Sequence, residues 1–311
     1  MDLDKSAVCK LQSYPVKTAP FLLNYLENTK EVMACNNFYN YTFNYTNSYT
    51  IGGSATKLNS CYKLNSSDSS KWTYSPPMVT DHFDSTYFTK SFYLNNGDLF
   101  VIGVNDSTTR SISTALWSSD GNSLSATPTG GLPNMTTTYQ NYPSGGCAAK
   151  LNDTHIMVVG GLEGENSYSK YLSSAWILNL ADYTWQLVEP MNQERYGHAC
   201  ILTAEGEVLV AGGRTDGSIN GEIYTAEIYN PINNSWRNDS FDLPADLNST
   251  MFAQTLLYEK KVLMLPEETT NPLIRTKSGW KYSNVSLGDT FDESTGSIAV
   301  MVPKDAFNCF T

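Results

Sequence analysis

The chain has 311 residues, 41% hydrophobic and 12% aromatic, with 31 acidic against 20 basic side chains and a net charge of −11. That length allows one large domain or two small ones. The acidic balance excludes an electrostatic grip on nucleic acid or anionic lipid, and no apolar run reaches the ~18 residues of a membrane-spanning helix.

Short runs of Val, Ile, Tyr, Phe and Thr, broken by Gly, Asn, Pro and Ser about every ten residues, predict an all-β chain. Residues 1–17 include SAVCKLQSYPVK. The single stretch with helical character, APFLLNYLENTKE at 19–31, reads equally as a strand and a turn. A first period over 18–80 then supplies EVMACNN, LNSCYKLN and KWTYSPPM as strands. The second, 81–138, holds LFVIGV and Trp117. The third, 139–193, holds HIMVVGG, SSAWILN and YTWQLVEPM. The fourth, 194–247, is the most regular: HACILTA, EVLVAGG, a polar loop RTDGSINGE, IYTAEIYNP and SWRNDSFDLP. The fifth, 248–288, keeps KVLMLP and GWKYSN but has no Gly pair. After Asp292 only STGSIAVMVPKDAFNCF remains, so a sixth period would have to join 289–311 with 1–17.

The spacing is that of a repeat. Trp185 to Trp236 is 51 residues, Trp236 to Trp280 is 44, and Trp72 to Trp185 is 113, about two periods. Gly160-Gly161 and Gly212-Gly213 lie 52 residues apart. This order of strand, strand ending in Gly-Gly, loop, strand with Tyr, turn and Trp resembles the kelch repeat. The resemblance implies one β-propeller domain over 1–311, with six four-stranded blades and the last shared between the termini. The glycines suit conformations closed to other residues. The large flat side chains suit the wedge between blades. In the first period Asn36 and Asn37 stand where the Gly pair is expected, and Asn is the next most tolerant residue there.

Six cysteines allow fifteen pairings. On the repeat map Cys35 and Cys61 fall on neighbouring strands of one blade, and Cys9 and Cys309 meet if the termini share a blade. Aligning Gly145 with Gly197 sets Cys147 one strand position away from Cys200, so the two point to opposite sheet faces. Adjacent blades meet through opposite faces, which predicts a bridge between the third and fourth blades; two buried free thiols are the alternative. Ten N-x-S/T sequons occur, at Asn40, Asn44, Asn65, Asn105, Asn134, Asn152, Asn233, Asn238, Asn248 and Asn284. Paired cysteines and sequons point to an oxidising, extracellular compartment. MDLDKSAVCK has no apolar leader segment, so the expectation is a secreted protein whose leader is absent from this sequence, with a cytoplasmic protein as the alternative.

Some kelch-type propellers resemble galactose oxidase, a copper radical enzyme, which implies two His, Tyr ligands and a Cys joined to a Tyr. Here His82, His155 and His198 fall in different periods with no grouped spacing. Sialidase propellers imply three arginines on a carboxylate; Arg110, Arg195, Arg214, Arg237 and Arg275 are scattered, and SSDGNSLS at 118–125 reads as an Asp-Gly turn. No catalytic residue, metal or cofactor is therefore assigned. The reading is a recognition propeller for a protein or glycan ligand. The kelch resemblance gathers the loops after the second strands, 104–111, 162–171, 214–222 and 266–272, on one face. Tyr168, Tyr171, Arg214 and Asp216 are the ligand-face candidates, since aromatics and Arg anchor interfaces. An intracellular adaptor reading needs a partner domain, for which the propeller, starting near residue 18, leaves no room in this chain.

Overall fold

The computed structural model describes residues 22–26, 29–46, 49–65, 71–75, 84–104, 112–119, 124–127, 132, 145–163, 170–215, 221–247, 249–251, 253–258, 260–266, 269 and 271–284. Every regular element among them is a strand. The strands form five separate four-stranded antiparallel sheets, each in simple sequence order. Blade one holds β1 (Leu22–Leu26), β2 (Glu31–Thr46), β3 (Tyr49–Asn65) and β4 (Trp72–Ser75). Blade two holds β5 (Asp84–Tyr93), β6 (Leu99–Val104), β7 (Ile112–Trp117) and β8 (Leu124–Ala126). Blade three holds β9 (Cys147–Asn152), β10 (His155–Glu163), β11 (Lys170–Asn179) and β12 (Thr184–Val188). Blade four holds β13 (Ala199–Leu202), β14 (Val208–Ala211), β15 (Ala226–Asn230) and β16 (Ser235–Asn238). Blade five holds β17 (Gln254–Tyr258), β18 (Lys261–Leu265), β19 (Leu273–Thr276) and β20 (Gly279–Tyr282).

The described residues thus give five blades where the sequence predicts six. The segments assigned to the sixth, 289–311 and 1–17, and with them Cys9 and Cys309, lie outside the described residues. The stretch with helical character resolves as β1 and a turn, which Lys30 closes with φ 59°.

The first strands contact one another from blade to blade, β1 with β5, β5 with β9, β9 with β13 and β13 with β17. They therefore line the axis. The fourth strands β12 and β16 sit at the periphery and are mostly exposed. Between the two, β6, β10, β14, β18 and the Val32–Cys35 part of β2 bury residues of both parities, which is why these stretches read as unbroken apolar runs. On β10, Ile156 and Val158 pack against Phe100 and Ile102 of blade two. The alternate residues Met157 and Val159 pack against Val208 and Val210 of blade four. On β14 the other parity, Leu209 and Ala211, meets Val262 and Met264 of blade five. Leu99 and Val101 of β6 close on Met33 of blade one. Period-2 alternation here divides one blade neighbour from the other rather than core from solvent.

The wedge aromatics follow the same plan. Tyr229 and Trp236 are in contact, their ring centroids 5.1 Å apart, and the Trp236 indole donates to Glu189 O at 2.7 Å, across to blade three. Trp185 packs into the interface of blades two and three, and Trp280 into that of four and five. Trp72 opens β4 and is half-buried.

The Gly pairs have two physical causes. Gly160 and Gly161 have φ of 62° and 102°, and Gly212 and Gly213 have 71° and 90°. A Cβ on Gly160 would lie 2.8 Å from Arg195 O, and one on Gly212 would lie 2.6 Å from Thr250 O. Each pair lets a second strand pass close to the chain leading into the next blade: β14 ends there at Ala211, while β10 shifts register between Val159 and Gly161 and runs on to Glu163. In blade one the Asn36-Asn37 substitute does something else. It stays in the ladder, Asn36 opposite Ser60 and Asn37 opposite Asn59, and pairing continues to Thr46 opposite Tyr49. The expected exit from the strand does not occur, because two residues with Cβ atoms held in β conformation carry the ladder on.

Two disulfides are present among the described residues. Cys35 and Cys61 face each other across β2 and β3 with Cα atoms 4.1 Å apart. Cys147 on β9 and Cys200 on β13 join the axial strands of blades three and four, Cα to Cα 5.9 Å, over a sequence separation of 53. Both are consistent with an oxidising compartment. By loop-closure entropy the second bridge is worth ~4 kcal/mol. Replacing both Cys147 and Cys200 by Ala is expected to lower unfolding free energy by about 2–4 kcal/mol, measured by urea denaturation under non-reducing conditions. A loss under ~1 kcal/mol would show that the bridge does not constrain the unfolded chain.

Candidate ligand-binding face

Second and third strands connect at one end of each blade, and there, at the boundary of blades three and four, the described residues are linked by a chain of contacts. The ladder of β10 and β11 runs past the Gly pair to Leu162 opposite Tyr171 and Glu163 opposite Lys170. This sets Tyr171 at the rim of blade three. Its ring meets Tyr196, at the lead-in to blade four, edge-on with centroids 6.2 Å apart. The backbone of Tyr196 pairs with that of Arg214, N to O at 2.8 Å in both directions. Arg214 pairs in turn with Glu222, its guanidinium 3.7 Å from the carboxylate. Glu222 also accepts from the Thr250 N–H at 2.8 Å and hydroxyl at 2.9 Å, tying the strip to the start of blade five. The Arg214 Nε is buried without a hydrogen bond, while 29% of its side chain stays exposed.

A cleft of about 280 Å³ opens beside Tyr171, lined by Lys170, Ser174, Leu187, Pro190 and Glu194. That is below the ~300–1,000 Å³ typical of small-molecule pockets. Leu187 offers an apolar wall, 57% exposed, and Lys170 and Glu194 set opposite charges at the rim.

Of the ligand-face candidates, Tyr171 and Arg214 are thus joined through Tyr196, which sequence reasoning did not single out. The available signal was Gly145: a Cβ there would fall 2.3 Å from the Tyr196 ring. Tyr168 and Asp216 lie outside the described residues, as do Arg110, His82, Asn105, Asn134 and Asn248. Among the sequons, Asn152, Asn233, Asn238 and Asn284 are exposed and Asn65 is half-buried. Asn40 and Asn44 lie on β2.

The residues weighed for catalysis are kept apart. His155 opens β10 just after the turn from β9, its ring nitrogen 2.8 Å from the Thr154 hydroxyl. His198 is buried at the blade three and four junction, and neither ring nitrogen has a partner. Burial, followed by the neighbouring Arg195 charge, holds its pKa down to about 3. Among the described residues no three His, Cys, Asp or Glu side chains gather as a metal-ligand group. The four described arginines named above each pair with a different acid: Arg195 with Glu227, Arg214 with Glu222, Arg237 with Glu207 and Arg275 with Asp239. They do not converge on one carboxylate site.

No described helix is long and apolar enough to cross a membrane. Two stretches, 143–192 and 195–238, match the Kelch motif. They span blades three and four, the two with intact Gly pairs. Over 71 residues the chain is 38% identical to the tRNA wybutosine-synthesizing protein 4 of Eremothecium gossypii, a stretch that is 22% of this chain and only 10% of that protein. A solved structure described as a novel fungal alcohol oxidase with catalytic diversity among the AA5 family, in complex with copper, is similar over 84% of this chain and 73% of its own, at 14% identity and a TM-score of 0.48.

Proposed function

Because the chain belongs to the kelch-repeat β-propellers, we propose that it is a non-catalytic recognition module, secreted and N-glycosylated, that presents its loop face to a protein or glycan ligand. The observation that carries this reading is the strip Tyr171–Tyr196–Arg214 with its adjoining cleft. Two aromatic rings and an arginine, each partly exposed and fixed by the blade boundary beneath, are the side chains that dominate interface energies. The Cys147–Cys200 bridge holds the two blades that share the strip. Cys9 and Cys309 are the third cysteine pair of this reading. The two disulfides and the exposed sequons at Asn152, Asn233, Asn238 and Asn284 support the extracellular assignment.

Two measurements test this. An unreduced peptide mass map, before and after removal of N-glycans, is expected to show the three linked cysteine pairs and glycans on several sequons. Free thiols and bare asparagines would sink the secreted reading. For the face, arrayed glycans and extracellular proteins are screened with the wild type, Tyr171→Ala and Arg214→Ala. A specific ligand is expected to lose ~10- to 100-fold in affinity to each variant. A specific ligand indifferent to both would move the site elsewhere.

A further inference from the structure

Blade one departs from the others in a way that creates a second surface. β1 ends its pairing with β2 at Leu22 opposite Cys35, and β4 ends its pairing with β3 at Ser75 opposite Cys61. The chain beyond β4 reads Pro76-Pro77, which has no N–H to continue a ladder. β2 and β3 nevertheless stay paired as far as Thr46 opposite Tyr49. The result is a two-stranded arm beyond the Cys35–Cys61 bridge, ~36 Å long at ~3.3 Å per residue, projecting from the end of the blade where the other second-to-third-strand loops leave.

The bridge fixes which backbone groups of the arm are free. A Cα–Cα distance of 4.1 Å marks Cys35 and Cys61 as a narrow, non-hydrogen-bonded pair. Alternation from there makes Asn37–Asn59, Tyr39–Lys57, Tyr41–Ala55 and Phe43–Gly53 non-hydrogen-bonded pairs as well. Their N–H and C=O groups point out of the two edges, and among the described residues no strand pairs with them. An isolated two-stranded ribbon is marginal in water. An open edge without proline or charge is a template for another strand. Between residues 36 and 60 there is no proline and no acid, and Lys57 is the single charge. The remainder of the chain carries a net −12 once Lys57 is set aside from the total of −11. Two such bodies repel, so the arm is the surface where two copies can meet without opposing acids. Of its two strands, β2 bears the sequons at Asn40 and Asn44, and β3 bears none from Tyr49 to Ser60.

We propose that the outer edge of β3 pairs antiparallel with the same edge of a second copy of this chain. The two arms then form one four-stranded intermolecular sheet, and the two-fold symmetry stops assembly at a dimer. A two-fold placed near Ala55 sets Lys57 opposite Gly53 of the other copy and keeps the two lysines apart. The proposal is independent of the ligand face on blades three and four.

The test is sedimentation velocity of the full chain, disulfides intact, over a wide concentration range, for the wild type, Ala55→Pro and Asn37→Pro. Both substitutions remove one outward N–H and leave the hydrogen bonds between β2 and β3, so their local damage to the arm is matched. Only Ala55 faces the proposed partner. The wild type is expected to dimerise reversibly. Ala55→Pro is expected to weaken the dimer ~10- to 100-fold, since symmetry removes two hydrogen bonds at once; Asn37→Pro should change it less than ~3-fold. A wild type that stays monomeric, a dimer indifferent to Ala55→Pro, or one weakened equally by both variants would overturn the proposal.

Discussion

Glu227→Ala is expected to destabilise the protein by about 3–5 kcal/mol, a large share of the ~5–15 kcal/mol that holds a typical domain folded. Glu227 and Arg195 are essentially inaccessible, at 1% and 0% of their side-chain surface, and lie 3.2 Å apart. Burial pulls the Arg195 guanidinium below its ordinary pKa, and Glu227 pulls it back. Arg195 also donates to the carbonyls of Gly212 at 3.0 Å and Thr225 at 2.9 Å, so it pins the crossover from blade three onto the end of β14. Glu227 accepts from the Asn192 and Gln193 N–H groups at 2.7 and 3.2 Å. Removing the carboxylate leaves a buried cation and two backbone donors without their acceptor. The double variant Arg195→Met with Glu227→Leu is expected to lie closer to the wild type than Glu227→Ala, because the unpaired charge is gone. Urea denaturation of the four corners of that cycle gives the coupling directly. A loss below ~1 kcal/mol for Glu227→Ala would mean that water reaches the pair.

Acid is expected to act through His198. Its folded pKa of about 3 lies below the unfolded value of 6.5. Above pH ~6.5 the ring is neutral in both states and contributes no pH dependence. As pH falls through 6.5 the unfolded chain takes up a proton that the folded chain refuses until about pH 3. Stability therefore drops across that window, by ~1.4 kcal/mol per unit at most. Between pH 7 and 4.5 the loss from this one group is on the order of 2–3 kcal/mol. The cause is steric as well as electrostatic. Gly160 lies against the ring, where a Cβ would fall 2.5 Å from Cε1, and Gly213 lies against the His198 Cβ and backbone N. The comparison is between the wild type and His198→Gln, each unfolded by urea at pH 7 and 4.5. Titration of every other group cancels in the difference. The variant is expected to lose ~2–3 kcal/mol less than the wild type on acidification; equal losses would show that His198 is protonated in the folded state.

The repeat was legible because it has a period. Trp185, Trp236 and Trp280, with the glycines at 160–161 and 212–213, recur at blade spacing, and each occupies the blade position that the repeat assigns to it. The offset of Cys147 from Cys200 was legible for a related reason: strand parity decides which neighbour a residue faces. Parity failed in blade one. Asn36-Asn37 at the Gly-Gly position signalled a tolerated variation of the same turn, whereas the strand continues. Nothing local distinguishes an Asn that adopts positive φ from one that stays extended; the partner strand decides. In the candidate ligand face, Tyr171 and Arg214 were visible as residue types in predicted loops. Tyr196, which connects them, stands in the lead-in to the fourth period and gains its place by lying over Gly145.

The sequence by itself determined the blade: four strands per period, second strands apolar on both faces, glycines at their ends and aromatics in the wedges. These are set by steric and hydrophobic demands that act over a few residues or one repeat. Tertiary structure decided what two blades make together. The pairing of Arg195 with Glu227, the burial of His198, the strip from Tyr171 to Arg214 and the long ladder of β2 and β3 all depend on which chains lie alongside, over separations that no local pattern records. Burial and pairing are properties of the assembled interface, so only the assembled interface could assign them.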